Sequence, residues 1–125
     1  MNVQWPAVLF GWLVDFGLSL LLQLLIVLVG ASSFFDSPSL INPIHLGLML
    51  LFVLVVGVGG FSGARMAGTA FALHGFLVGV TDILVSTLLS GGVSTPHPFI
   101  LIEIFGCAAG ALGGLLAMRL QRVSS

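Results

Sequence analysis

The stretch from Trp5 to Gly30, WPAVLFGWLVDFGLSLLLQLLIVLVG, decides the fold. It holds one charged residue, Asp15, and nowhere places two polar residues side by side. A hydrocarbon core about 30 Å thick is crossed by about 20 helical residues, and lipid offers no partner to an open backbone N–H or C=O. Such a run is therefore expected to be a spanning helix. Three more blocks read the same way, over about 43–64, 66–90 and 98–119. Pro43 suits the first turn of the second, and Gly57, Gly59, Gly60 and Gly63 are expected to close it before Arg65. Turn-forming residues fill the gaps: Ala31 to Ser39 with Asp36 and Pro38, then Gly91-Gly92 and the run to Pro96 and Pro98. The short alternating segments of a β-barrel are absent.

The expected fold class is all-α: a polytopic membrane protein of four transmembrane helices in an up-down bundle, one domain over residues 1–125. Apolar residues make up 58% of the chain and charged ones 6%, which leaves too few charges to keep four such blocks in water. The start Met1-Asn-Val-Gln-Trp-Pro has no Lys or Arg, and its apolar run exceeds the roughly 7 to 15 residues of a signal core, so the first span is expected to be retained. Lys and Arg together number three, Arg65, Arg119 and Arg122. With four crossings all three fall on one side, and the excess of basic residues on cytoplasmic loops then places both termini in the cytoplasm. Trp5 is positioned to anchor at the interface, Trp12 less so.

Small residues set the expected packing. In lipid, helices join largely through close backbone approach over Gly and Ala. Gly106, Gly110 and Gly114 recur every fourth residue in the last span, Gly75 and Gly79 in the third, Gly59 and Gly63 in the second, a glycine-zipper pattern. The acids lie on the same lines. Asp82 is seven residues, about two turns, from Gly75, and Glu103 is seven from Gly110, so both are expected to face protein. A hairpin turning near Val93 and Ser94 brings Asp82 and Glu103 together in the outer half of the membrane. Two carboxyls side by side in a low dielectric do not both stay ionised, so a shared proton or a bound cation is expected there. Asp15, with Gly11, Ser19 and Gln23, forms a polar edge on the first span, at a depth that permits contact with His74. Asp36, His45 and His97 are expected at the outer surface, and Cys107 is expected to pack as a small buried residue.

Asp15, His74, Asp82 and Glu103 are thus candidates for a proton or cation route, because an ionisable group inside a bilayer costs roughly 2.5 to 3.5 kcal/mol to insert. The competing expectation is polar packing between helices or to a partner. No catalytic or nucleotide motif is present, so no enzyme is expected, and three basic residues are too few for nucleic acid. His45, His74 and His97 lack ligand spacing, so no metal and no cofactor is expected. Gly59-Gly60 and Arg65 recur as Gly113-Gly114 and Arg119 with equal spacing, a hint of parallel duplication.

Gly59-Gly60-Phe-Ser-Gly-Ala-Arg65-Met-Ala-Gly68, then His74-Gly75-Phe-Leu-Val-Gly79, resembles the centre of a broad group of small four-span bacterial inner-membrane proteins. Gly110-Ala-Leu-Gly113-Gly114 is similar to their last helix. The resemblance covers about twenty residues and leaves out Asp15, Asp82 and Glu103; it implies a bacterial inner (plasma) membrane location and no established activity. Two other families are similar at single points. Asp15 sits where small multidrug-resistance transporters carry an acid, without their other signatures. Gly59 to Ala64 echoes a fluoride-channel segment, without that family's Thr-Thr-Phe-Ser run. The functional expectation is a non-enzymatic small subunit or self-associating component of the bilayer, as a homo-oligomer or part of a larger complex. The alternative is a small proton- or cation-coupled transporter.

Overall fold

The computed structural model describes residues 3–36, 39–89 and 97–124, with the backbone alone for 35, 36, 89, 97–101 and 124. Its described elements are all helical: α1 (Trp5–Leu28), α2 (Ser33–Asp36), α3 (Pro43–Ala67), α4 (Phe71–Leu89) and α5 (His97–Ser124). Four of them contain stretches long and apolar enough to cross a membrane: Trp5–Leu28, Pro43–Ala67, Phe71–Leu88 and Ile102–Val123. Proline stands in the first turn of α1 and of α3, and the Asn42 side chain accepts the Ile44 N–H at 2.9 Å to cap α3.

The glycines do not close the second span. α3 runs through Gly57, Gly59, Gly60 and Gly63 to Ala67 and stops at Gly68, whose φ of 71° lets its N–H bond the Ala64 carbonyl. Helical glycine is tolerated where a neighbouring backbone lies against it; termination needs a left-handed residue, and Gly68 is the one that supplies it. The third span consequently starts at Phe71 rather than near residue 66. α5 continues past Arg119 to Ser124, since Gln121-Arg-Val contains no helix breaker. Gly91, Gly92 and the hairpin turn at Val93 and Ser94 lie outside the described residues.

Close contacts fix the directions. Gly63 meets Ala7 and Gly59 meets Asp15, so α1 and α3 are antiparallel; Val56 meets Gly106 and Gly60 meets Gly110, so α3 and α5 run parallel. Gly75 meets Gly110 and Gly79 meets Cys107, so α4 opposes α5. α3 and α4 form the middle of the bundle, with α1 packed on both from one flank and α5 from the other. Around this frame, large apolar side chains point outward along each long helix, Leu13, Leu24, Leu50, Leu54, Leu84 and Leu112 among them.

The link after α1 folds back over its end of the bundle. α2 drives Phe34, with no exposed surface, between Ile26 and Met49, where it stacks on Phe52 at 6.1 Å. His45 lies under the same cover, edge-on to Phe34 at 5.4 Å, its Nδ1 accepting the Ser39 N–H at 3.0 Å. The expectation of a solvated His45 is thereby corrected: it is 8% exposed, because the connection closes over the helix end instead of looping away. The side chains of Asp36 and His97 lie outside the described residues.

Candidate functional site: a buried carboxyl pair beside a polar cleft

Asp15 lies ten residues into α1 and Asp82 eleven into α4, two parallel helices, so the two stand at one level about 15 Å from the helix starts. That distance is about half the thickness of a hydrocarbon core about 30 Å across. Asp15 has no exposed surface at all. Gly59 of α3 makes the room: a Cβ there would come within 2.8 Å of the Asp15 Cβ. Ser19, one turn on, donates its hydroxyl to Asp15 Oδ1 at 3.3 Å. Oδ2 is buried with no hydrogen-bond partner, and the carboxyl of Asp82 is a close neighbour of this side chain. Ionised carboxylates only accept, so this contact becomes a hydrogen bond when one proton sits between the two groups.

Asp82 thus has Asp15 as a neighbour, a contact that the expected Asp82–Glu103 pair did not include. Glu103 is within charge–charge reach of Asp82 without bonding it, and half-buried Cys107 is near both. About one turn away α4 and α5 cross closely: a Cβ on Gly79 would stand 2.8 Å from the Cys107 Cα. No cluster of three or more His, Cys, Asp or Glu suited to a metal ion occurs among the described residues.

His74 does not meet Asp15, and the reason is again the turn. With Gly68, Thr69 and Ala70 between the helices, His74 falls in the first turn of α4, level with Gln4 rather than with Asp15. It is fully buried, and its Nε2 takes the Gln4 backbone N–H at 3.0 Å. A backbone N–H can only donate, so Nε2 carries no proton. Nδ1, 3.0 Å from the Ala70 carbonyl, therefore holds the ring hydrogen. The Gln4 side chain donates to the Ala67 carbonyl at 3.0 Å, completing a clasp between the start of α1 and the α3–α4 turn. Ala70 adopts φ 44° within that turn, a conformation that costs a non-glycine residue free energy and that these bonds hold in place.

Beside the carboxyl pair opens a cleft of about 630 Å³ between α1, α3 and α4, lined by Phe16, Ser19, Leu20, Gln23, Phe52, Asp82 and Ser86. The polar edge read on α1 thus faces a real opening, and Asp82 connects it to the sealed Asp15. Every glycine assigned to packing, Gly59, Gly63, Gly75, Gly79, Gly106, Gly110 and Gly114, meets another helix of the same chain. Arg65 and Arg119 are exposed at one end of the bundle, with Arg122 beside Arg119. Sequence reasoning missed Gln4 as the histidine's partner, Gly60 in the α3–α5 crossing and the buried, unpartnered indole N–H of Trp12. Only Gly60 carried a signal, as one of a glycine pair. The chain matches no known family, no curated protein and no solved structure.

Proposed function

We propose that this chain is a small integral membrane protein that carries protons, or a cation exchanged for them, through the Asp15–Asp82 pair. The observation that carries the reading is the Asp15 carboxyl: sealed from solvent, without a partner at Oδ2, and beside Asp82, which lines an open cleft that also holds Ser19, Gln23 and Ser86. A group without a stable complement of partners at mid-depth is suited to exchanging a proton between the cleft and the interior. Four helices enclose little, so the working form is a homo-oligomer or a complex with another membrane chain. The basic residues at the end shared with the N-terminus favour cytoplasmic termini, in a bacterial inner membrane as the resemblance implies. Proteoliposomes with a trapped pH dye and an imposed membrane potential test the reading. The native chain acidifies or alkalises the lumen, and Asp82→Asn loses this flux while still folding, as a cooperative melting curve shows. Flux unchanged in Asp82→Asn overturns it.

The second reading is a non-enzymatic small subunit, with the same cleft receiving a polar side chain of a partner helix. Ser19, Gln23 and Ser86 on its walls support that role as interhelical hydrogen-bonding groups. In that case Asp82→Asn removes co-purification of the partner in mild detergent, and the native chain alone gives no flux.

A further inference from the structure

α3 and α5 end on the same side because they run parallel. Continuing the register of Val56 on Gly106 and Gly60 on Gly110 puts Arg65 within about one turn of Arg119 in height. On the outer face of this seam lies an apolar groove of about 480 Å³, walled by Leu54, Val58 and Phe61 on one side and Leu112, Leu116 and Leu120 on the other. Its floor is low because Gly57 and Gly113, also in the lining, contribute no side chain. From Ala109 to Leu120 the groove follows α5 for about 16 Å, close to half of a core about 30 Å thick and so to the reach of one leaflet's acyl chains.

The groove ends among cations. The Arg65 guanidinium stands 6.0 Å above the ring of Phe61, on one wall. Leu112 and Leu116, on the other wall, also border a hollow containing Arg119 and Arg122. Among the described residues, no acid lines either space. A long apolar trough closed by basic residues at headgroup depth complements a molecule with a hydrocarbon tail and a net negative head. We propose that this seam is a binding site for one anionic phospholipid, an acyl chain in the groove and the phosphodiester between Arg65 and Arg119. A zwitterionic lipid presents the same phosphate with an ammonium group that the arginines repel.

Native mass spectrometry of the detergent-purified chain, given phosphatidylglycerol or phosphatidylcholine with identical acyl chains, tests the site. The native chain retains the anionic lipid preferentially. A basic residue near a membrane surface contributes about fivefold to anionic-lipid attraction, so the double variant Arg65→Gln/Arg119→Gln loses about 25-fold of phosphatidylglycerol binding and little of phosphatidylcholine. Val58→Trp fills the trough and weakens both lipids alike. Both variants alter exposed positions, and an unchanged melting temperature confirms that they fold. Equal retention of the two lipids by the native chain overturns the proposal, as does full retention of phosphatidylglycerol by the double arginine variant. Displacement of the lipid by glycerol phosphate alone, or a second copy of the chain in place of lipid, also overturns it.

Discussion

The seam that α5 makes with α3 and α4 and the seam between α1 and α4 are built from opposite materials. At the first, backbone lies on backbone: a Cβ on Gly60 would run into Gly110, one on Gly110 into Gly75, and one on Gly114 into Phe71. At the second, side chains keep the helices apart, with Asp15 against Asp82 and a cleft of about 630 Å³ beyond them. Close approach yields a large dispersion gain and excludes any polar guest. Separation gives up part of that gain and leaves room for water, a proton or a ligand. The fold places Asp15 and Asp82 at the seam it leaves loose.

The largest effect should come from closing the tight seam to glycine's advantage. Gly110→Val must push two backbones apart and is expected to cost about 3 kcal/mol or more, read as lost thermal stability in detergent. A native-like melting curve would break the contrast between the seams. Next comes coupling within the loose seam. In a double-mutant cycle, Asp15→Asn and Asp82→Asn should be coupled by about 1 to 2 kcal/mol, whereas Asp15→Asn and Glu103→Gln should add independently. Coupling of Glu103 as strong as that of Asp82 would show three acids acting as one group.

His74→Ala removes the acceptor of the Gln4 N–H at the lower end of the loose seam and is expected to cost about 1 to 3 kcal/mol. Faster amide exchange confined to the start of α1 checks it, with His74→Gln restoring part of the protection through its amide oxygen. The smallest effect belongs to Gly17→Ala, where an added methyl meets nothing within 4 Å. There the helix preference for alanine should show as a gain of up to about 1 kcal/mol, against a loss for Gly79→Ala on the tight seam.

Much of the packing was legible because it depends on period and residue size. Gly106, Gly110 and Gly114 recur every fourth residue, and no arrangement of that helix could scatter them over several faces. The pairing of acids was not legible, because it depends on where a turn ends. Three residues spent in Gly68, Thr69 and Ala70 moved the start of α4 and lowered His74 to the level of Gln4. The same shift brought Asp82 to the depth of Asp15. Nothing in a hydropathy profile reports such a displacement. His45 escaped for a related reason: its burial is supplied by Phe34 from a four-residue helix in a segment that reads as loop.

The sequence by itself determined that four helices long and apolar enough to cross a membrane would form, and which of their edges are small or polar. Those properties follow from local composition and the 3.6-residue period, and need no knowledge of the neighbours. Only the tertiary structure decided that Asp82 stands at the level of Asp15 and that His74 is occupied on both nitrogens. It also decided that the glycine edges are covered within the chain. Which edge meets which is set by helix register and by the order of helices around the bundle, and those arise from the sum of many close contacts that no single stretch of sequence contains.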